Sequence, residues 1–315
     1  MILFSAKISS KHHEKLKADH SNLEFIFCDN MNEAKQHLHK AEILVTYGGD
    51  LNDSLIEQAN NLKWIMVMSA GIDKLPFEAI KKKGILVTNA KGIHQTQMAE
   101  YAISMLLQVY RDARKLYQSE KDHHWDRSAR VQEITGRRIL IVGTGSIGQE
   151  VARLAKAFRM KTIGVSRSGR SKEYFDENHK IDNLEELLPR VDMVVSILPS
   201  TEETRGLFNF KQFQLLPDHA VFLNMGRGDL AYTDDLLKAV RQGEVAHMVL
   251  DVFEEEPLPL DHPFWSEENV TITPHIAGRS PYYTRRALEI FEQNLQSYLA
   301  DKDEYINKID VKRGY

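Results

Sequence analysis

The chain has 315 residues, 42% of them hydrophobic and 27% charged, with a formal net charge of -4 at pH 7. This composition is typical of a globular protein, and the small acidic excess argues against a general binder of nucleic acid or anionic membranes. Cys28 is the single cysteine, so no intramolecular disulfide can form. The start MILFSAKISSKHHEK has only a short apolar run, and no later stretch approaches ~18 apolar residues. We therefore predict neither a signal peptide nor a membrane span, and a cytoplasmic location.

In the first part of the chain, short apolar runs with strand composition alternate with amphipathic helical segments. The strands are predicted at residues 24–28, 42–46, 64–68 and 85–89. Asn30 and Asn52 are placed to cap the helices that follow two of these strands. Strands separated by helices predict a parallel sheet with right-handed crossovers.

A long helix is predicted over residues 95–119, and a second alternating series follows it. The apolar stripe of this helix consists of Met98, Ala102, Met105, Leu106 and Val109. The second series has predicted strands at 138–143, 161–166, 191–198, 220–226, 245–253 and 270–276. In the segment TDDLLKAVRQG, Thr233 can cap a helix and Gly243 can end it. A last helix is predicted over about 281–300.

The turn Gly143-Thr144-Gly145-Ser146-Ile147-Gly148 connects the apolar strand RILIV to the amphipathic helix that begins IGQEVARLAKAF. In this context a G-x-G-x-x-G pattern predicts a dinucleotide site. Gly143 permits the tight turn, Gly145 lets the backbone approach a pyrophosphate, and Gly148 lets helix and strand pack closely. Ser146 and Ile147 open the helix, whose free N–H groups favour a phosphate. We predict that the turn binds a nicotinamide dinucleotide.

The two series predict an α/β protein with two Rossmann-like, doubly wound, parallel-sheet domains. The long helix and the last helix bracket the second series. We therefore predict that residues 96–281 form a dinucleotide-binding domain, inserted into a smaller flavodoxin-like domain of residues 1–95 and 282–315.

The second strand of the dinucleotide domain ends at Ser166, where an NAD enzyme carries an acid for the ribose 2′-hydroxyl. This chain has Ser166-Arg167-Ser168 there instead, followed by Gly169-Arg170. A guanidinium flanked by hydroxyls pairs with a 2′-phosphate by charge-assisted hydrogen bonds. We predict that NADP(H) is preferred over NAD(H). The alternative is that Arg167 and Arg170 are solvated surface charges.

Three predicted strand ends carry candidate chemistry: residues 224–228 with Arg227, residues 251–257 with Asp251 and three adjacent glutamates, and residues 273–278 with His275. A guanidinium can bind a carboxylate through two hydrogen bonds. Reduction of a ketone by hydride needs a proton donor, usually a histidine near neutral pH. A carboxylate beside that histidine stabilises its charged form and orients its ring. The residues alone do not select one glutamate among Glu254, Glu255 and Glu256.

Motifs along the whole chain resemble those of the D-isomer-specific 2-hydroxyacid dehydrogenase family. They are SAGIDKLP (69–76), GTGSIG, ILPSTEETRGLFN (197–209), NMGRGDL (224–230), LDVFEEEPLP (250–259), TPHIAG (273–278) and the ending NKIDVKRGY. The resemblance implies a catalytic triad of Arg227, Glu256 and His275. It implies that Arg227 holds the carboxylate or carbonyl oxygen of a 2-oxoacid, that His275 protonates the oxygen, and that Glu256 keeps His275 charged.

The resemblance also implies binding roles elsewhere. The backbone amides of Ala70 and Gly71 match the family's substrate-carboxylate cradle, Arg227 and His275 contact the substrate, and Asp251 matches the residue that contacts the carboxamide of the cofactor. Further positions that match the cofactor site are Pro199, Thr204 and Met225. A homodimer joined through the cofactor domain is implied, with the helix at 95–119 as an interface element.

Within the family, the sequence is most similar to the glyoxylate and hydroxypyruvate reductase branch, on the segments SRSGR, MAEYAISMLLQ (98–108) and HPFW (262–265) and on Trp125. The alternatives are 3-phosphoglycerate dehydrogenase, another D-2-hydroxyacid dehydrogenase, and a cofactor-sensing protein related to transcriptional co-repressors. The histidine clusters at 12–13, 37–39 and 123–124 lack partners at recognisable ligand spacing, so we predict no metal site.

Overall fold

The computed structural model describes residues 1–72 and 74–311. Asp73, which belongs to the SAGIDKLP motif, lies outside the described residues. So do residues 312–315, which belong to the NKIDVKRGY ending and to the predicted 282–315 segment. The chain divides into two compact units. One begins at Met1, ends at Ile93 and resumes at Ser280, and the other spans His94–Arg279. No helix in the described part of the chain is long and apolar enough to cross a bilayer.

The first unit contains a five-stranded parallel sheet in the order β2-β1-β3-β4-β5. Its strands are β1 (Ile2–Phe4), β2 (Phe25–Phe27), β3 (Ile43–Thr46), β4 (Trp64–Val67) and β5 (Leu86–Asn89). Its helices are α1 (Ser10–Asp19), α2 (Met31–Ala34), α3 (Asp53–Gln58), α4 (Phe77–Lys83) and, after the return of the chain, α11 (Tyr283–Leu299). Apolar side chains on both faces of the sheet are buried, so the strands are nearly continuous hydrophobic runs.

The second unit contains a seven-stranded parallel sheet in the order β12-β11-β10-β9-β6-β7-β8. Its strands are β6 (Arg138–Val142), β7 (Lys161–Ser166), β8 (Glu177–Lys180), β9 (Met193–Ser196), β10 (Val221–Asn224), β11 (His247–Leu250) and β12 (Val270–Ile272). Its α-helices are α5 (Gln95–Tyr110), α6 (Ala113–Lys121), α7 (Ser146–Ala157), α8 (Leu184–Leu187), α9 (Phe210–Gln214) and α10 (Thr233–Gln242).

The two sheets confirm the predicted α/β class with two doubly wound parallel sheets. In the larger sheet the strand order reverses between β6 and β9. Ligands of open α/β sheets bind at the carboxyl ends of the strands beside such a switch point. The glycine turn after β6 therefore lies where a dinucleotide is expected.

Several local predictions are confirmed. The side chains of Asn30 and Asn52 accept hydrogen bonds from Glu33 N and Leu55 N and cap α2 and α3. Gly243 ends α10 in the left-handed conformation, with φ of 74°.

Other predictions need correction. The long helix is interrupted: α5 ends at Tyr110 and α6 begins at Ala113, because Asp112 adopts a left-handed φ of 53°. Thr233 does not cap helix α10 but is its first helical residue; Tyr232 occupies the N-cap position without a side-chain capping bond. The sequence analysis did not identify β1 or β8, which are short; β8 is also polar, so the usual pattern of a buried strand is absent.

The buried face of α5 is rotated from the predicted stripe. Met98, Met105 and Val109 are only partly buried, and the fully buried positions are Ala99, Ala102, Ile103, Leu106 and Tyr110, with Gln97. Helix α7 packs against α5.

Candidate active site

The glycine turn after β6 has the geometry that a dinucleotide site requires. Gly143 has a φ of +112°, which an L side chain rarely adopts. A Cβ on Gly148 would lie 2.0 Å from the carbonyl oxygen of Gly143, so helix α7 approaches the turn too closely for any side chain there. This close approach matches the packing role expected of the third glycine.

The turn also leaves room for a phosphate at the start of α7. A Cβ on Gly145 would meet no heavy atom within 4 Å, so the space beside this residue is open. Gly145 is the N-cap of α7 and supplies no side-chain cap, while Ser146, Ile147 and Gly148 form the first helical turn. The first N–H groups of a helix have no partner within the helix and favour an anion. The residues present therefore fit the pyrophosphate of a dinucleotide.

At the end of β7 the structure brings Ser166, Arg167 and Ser168 together in a short turn. The hydroxyl of Ser166 accepts a hydrogen bond from Gly169 N at 3.2 Å, and that of Ser168 accepts one from Arg170 N at 3.4 Å. Arg167 is exposed, and within the described residues its guanidinium forms no hydrogen bond or ion pair. Its charge is therefore available to a ligand.

The segment after β9 is organised by a side chain that the sequence analysis assigned to the cofactor site. Thr204 Oγ1 donates to the carbonyl oxygen of Pro199 at 2.6 Å and accepts from Thr201 N at 2.8 Å. Met225, directly after β10, is buried, and its N–H donates to Ser196 O at the end of β9. Pro199, Thr204 and Met225 thus follow neighbouring strands at the carboxyl edge.

His275 and Glu256 form a direct pair at this edge, after β12 and β11. His275 Nδ1 lies 2.7 Å from Glu256 Oε2, and the other carboxylate oxygen accepts from Phe253 N at 3.0 Å. The imidazole is about half exposed, with a side-chain accessibility of 52%, so its Nε2 edge can meet a substrate. The φ of His275 is 52°, in the left-handed region that non-glycine residues adopt uncommonly.

The other two glutamates differ from Glu256. The Glu254 carboxylate accepts a hydrogen bond from Thr233 N at 2.6 Å and so binds the first turn of α10. Glu255 is exposed. Among the three, only Glu256 contacts the histidine, which agrees with the choice that the family resemblance made.

Arg227 follows β10, the strand next to β11. Its side chain is exposed and Nη1 donates to the carbonyl oxygen of Gly226 at 2.8 Å. The next residue, Gly228, packs so tightly that a Cβ would lie 1.9 Å from the carbonyl carbon of Phe253. This contact joins the segment of Arg227 to the segment that carries Glu256.

Asp251 is fully buried and holds the histidine segment in place. Oδ1 accepts from Thr273 Oγ1 at 2.5 Å and from Ile276 N at 2.9 Å, and Oδ2 accepts from Ala277 N at 2.9 Å. In addition, the carbonyl oxygen of Asp251 accepts from His275 N at 2.9 Å. Three of about four lone-pair sites on the carboxylate are thus used to hold residues 273–277.

The sequence analysis missed Tyr101, which extends this network. Its hydroxyl lies 2.7 Å from Thr273 Oγ1, and burial raises its pKa well above the usual value. Tyr101 belongs to the segment MAEYAISMLLQ. Because it is 172 positions from Thr273 along the chain, no local sequence pattern indicates this contact.

The two predicted carboxylate-cradle residues lie in the first unit, after β4. Asn89 Nδ2 donates to Ala70 O at 2.8 Å, and Ser69 Oγ donates to Gly71 O at 2.8 Å. These bonds engage the two carbonyl groups and order the turn. Gly71 is exposed at its surface.

Within residues 1–72 and 74–311, no three His, Cys, Asp or Glu side chains are grouped so that they could hold a metal ion.

A parallel sheet with a dinucleotide turn at its switch point and a His–Glu pair at the same edge defines a class: an oxidoreductase that uses a nicotinamide cofactor. Comparison with known proteins is more specific. Residues 103–277 match the model of the D-isomer specific 2-hydroxyacid dehydrogenase, NAD binding domain.

Individual proteins agree with this match. Glyoxylate reductase of Aeropyrum pernix is 32% identical, with 84% of this chain and 81% of the relative covered. The structure of a D-isomer specific 2-hydroxyacid dehydrogenase family protein from Aeromonas salmonicida is 35% identical, with a TM-score of 0.86 and 98% of each chain covered. An NADPH-dependent glyoxylate/hydroxypyruvate reductase from Sinorhizobium meliloti, solved with NADP and sulfate, is 28% identical. Its TM-score is 0.79, with 100% of this chain and 99% of that chain covered.

The chain belongs to the D-isomer specific 2-hydroxyacid dehydrogenase family. It is an NAD(P)-dependent D-2-hydroxyacid dehydrogenase, similar to the glyoxylate and hydroxypyruvate reductases.

Proposed function

We propose that the protein reduces a small 2-oxoacid of the glyoxylate or hydroxypyruvate type to the D-2-hydroxyacid and prefers NADPH. The observation that carries the proposal is the 2.7 Å pair of His275 and Glu256. It lies at the edge of the sheet that also carries the dinucleotide turn. The named activities of the Aeropyrum and Sinorhizobium relatives support the substrate class.

In this proposal His275 is the general acid. Glu256 bonds Nδ1 of the ring, which leaves Nε2 to donate a proton to the substrate carbonyl oxygen. The negative charge of Glu256 stabilises the imidazolium before this transfer. The reduced nicotinamide supplies the hydride when bound. Reduction adds that hydride to the carbonyl carbon and the His275 proton to the oxygen, so the product is an alcohol and His275 ends neutral.

Arg227 orients the substrate. Within the described residues its guanidinium forms one hydrogen bond, to the adjacent Gly226 carbonyl, so it can turn to a carboxylate or carbonyl oxygen without breaking an ion pair. The backbone amides of Ala70 and Gly71 are proposed as further donors to the substrate carboxylate. The family resemblance is the ground for proposing that Asp251 contacts the carboxamide of the cofactor.

The preference for NADPH rests on the turn after β7. No acid stands at Ser166, and Arg167 is exposed and unpaired within the described residues. A phosphomonoester carries about -1.5 to -2 charges at pH 7, so it gains from a free guanidinium and adjacent hydroxyl donors.

The decisive experiment is a spectrophotometric screen of 2-oxoacids with NADPH and NADH side by side, with chirality determined for the glycerate formed from hydroxypyruvate, because glycolate is achiral. We expect turnover of glyoxylate and hydroxypyruvate, faster at equal concentration with NADPH, and loss of about 1,000-fold or more in His275→Gln. His124→Gln, an exposed histidine of the same unit, is the matched control. Reduction of 3-phosphohydroxypyruvate alone would favour the 3-phosphoglycerate dehydrogenase alternative. Tight NADPH binding without turnover of any 2-oxoacid would contradict the proposed reaction.

We also propose a homodimer formed through the second unit. Around α6, large apolar side chains are exposed: Leu116 at 43%, Tyr117 at 59% and Trp125 at 90%. Exposed apolar side chains grouped in this way are typical of an interaction surface. Sedimentation velocity should show twice the 36.2 kDa chain mass, and Leu116→Asp combined with Tyr117→Asp should yield monomers. A wild-type monomer at micromolar concentration would exclude the dimer.

A further inference from the structure

Strand β8, which the sequence analysis did not identify, places a lysine beside the proposed 2′-phosphate site. It runs parallel to β7 with Ser166 opposite Lys180, the last residue of the strand. Residues that pair in register lie on the same face of a sheet. Lys180 therefore lies at the same edge and on the same face as Ser166.

That face is the one next to the dinucleotide turn. Gly164 precedes Ser166 by two positions, so both lie on one face of β7. A Cβ on Gly164 would come 2.8 Å from the methyl group of Thr144, a residue of the glycine turn. Lys180 is thus on the side of the sheet where the turn after β6 approaches.

The turn after β7 packs directly on Lys180. Gly169 has a φ of +63°, and a Cβ there would lie 2.9 Å from both Lys180 Cγ and Lys180 N. The aliphatic part of Lys180 therefore lies against the turn that contains Arg167. No larger residue fits at Gly169 without moving the lysine away.

The ammonium group of Lys180 is not engaged elsewhere in the part of the chain that the structure describes. Nearby charges are paired: Lys156 with Asp176 at 2.6 Å, and Arg190 with Glu177 at 3.2 Å. Lys180 is exposed and forms no ion pair within the described residues. Like Arg167, it is an exposed cation without an ion pair in the described residues, and its aliphatic part lies against the same turn.

We propose that Lys180 is a specificity-determining residue that binds the 2′-phosphate of the adenosine ribose together with Arg167. The proposal rests on the proposed preference for NADPH and extends it by a residue from another strand. A phosphomonoester carries about -1.5 to -2 charges at pH 7, so it can pair with both cations. An unphosphorylated ribose gives Lys180 no such partner, so the lysine discriminates between the two cofactors.

The test is equilibrium binding of NADP⁺ and NAD⁺, measured by isothermal titration calorimetry, with no turnover involved. Lys180→Gln should raise the Kd for NADP⁺ roughly tenfold and leave the Kd for NAD⁺ within about twofold, as expected for loss of one charge-assisted hydrogen bond. Lys180→Arg should restore most of the NADP⁺ affinity. Lys161→Gln is the matched control, because Lys161 is an exposed lysine at the opposite end of β7.

The outcomes separate this inference from the proposed function. An unchanged Kd for NADP⁺ in Lys180→Gln, or equal weakening of NADP⁺ and NAD⁺, would overturn the role of Lys180. If Arg167→Gln lowers the NADP⁺ preference and Lys180→Gln does not, the cofactor proposal stands and the inference fails. If the wild type binds NAD⁺ as tightly as NADP⁺, the cofactor preference itself fails, and the inference fails with it.

Discussion

At the scale of single residues, three side chains with different surroundings converge on the proposed chemistry. Glu256 is fixed by Phe253 N and by His275, whereas the guanidinium of Arg227 bonds only the carbonyl oxygen of the adjacent Gly226 within the described residues. The acid is thus pre-oriented, and the arginine stays free for the substrate. This difference matches a positioned proton donor and a substrate-binding cation.

We expect Glu256→Gln to lower kcat for reduction by about 10- to 100-fold. The amide keeps the shape of the carboxylate but loses its negative charge, so the His275 ring loses the electrostatic support of its partner. Steady-state kinetics at saturating substrate and cofactor will measure the loss. Glu255→Gln, the exposed neighbour, should keep the wild-type kcat, and an unchanged kcat in Glu256→Gln would remove Glu256 from the mechanism.

Arg227→Lys should lower kcat/KM for glyoxylate by about 100-fold. Lysine keeps the charge but loses the planar, two-point hydrogen bonding to a carboxylate. Steady-state kinetics at saturating NADPH will show the loss. Arg241→Lys, at a surface pair with Glu267, is the control. A change of less than about threefold in Arg227→Lys would show that a point charge is sufficient.

At the scale of secondary-structure elements, the contact of β6 with α7 decides the dinucleotide site. Two glycines in one turn serve different purposes: Gly148 has no space for a side chain, and Gly145 borders open space. The first therefore belongs to the packing of the fold, and the second to the ligand.

Alanine substitutions should separate these two roles. Gly148→Ala should destabilise the protein by about 1–3 kcal/mol through overpacking and also weaken NADPH binding. Gly145→Ala should leave the free energy of unfolding within about 0.5 kcal/mol and still weaken NADPH binding at least tenfold, because the methyl group enters the phosphate space. Urea unfolding and fluorescence titration measure the two quantities. Equal stability losses in both variants would contradict this assignment.

Strand β11 carries a histidine that makes stability depend on pH. Burial lowers the pKa of His247 to about 4, and the nearby Arg114 adds to this effect; the ring bonds Thr271 Oγ1 at 2.8 Å. In the unfolded chain a histidine protonates near 6.5. The neutral folded form is therefore favoured above pH 6.5, and its stabilisation is lost as the pH falls towards 4.

Between pH 7 and pH 5, the wild type should lose about 2 kcal/mol more unfolding free energy than His247→Gln. Glutamine can keep a hydrogen bond to Thr271 but does not titrate. Urea unfolding at the two pH values tests this difference. Equal losses in both proteins would mean that His247 does not contribute to the pH dependence.

At the scale of the whole molecule, two units each have their own parallel sheet and hydrophobic core. The chain passes between them twice, at residues 93–94 and 279–280. The predicted limits of 1–95 with 282–315, and 96–281, remain a proposal for the functional domains.

NADPH at 100 times its Kd should raise the free energy of unfolding by about 2.7 kcal/mol, because a ligand that binds only the folded protein stabilises it by mass action. NADH at the same concentration should raise it less, because its affinity is lower under the proposed preference. Thermal unfolding with each cofactor measures the two increments. Equal increments would contradict the preference for NADPH.

The sequence by itself determined the two α/β series, the dinucleotide turn, and the residue types Arg, Glu and His at three strand ends. These features depend on local periodicity and on short motifs, which a single segment displays. The family resemblance then selected Glu256 among three glutamates.

Only the tertiary structure decided which groups meet. It joined Glu256 to His275, Tyr101 to Thr273 across 172 positions, and Ser166 to Lys180 through a strand too polar to be recognised in the sequence. Such contacts arise because parallel strands align their carboxyl ends at one edge, whatever their separation along the chain. The glycine turn predicts the dinucleotide site from the sequence. The packing around it leaves Arg167 and Lys180 without ion pairs in the described residues, and these are the side chains that we propose bind the 2′-phosphate.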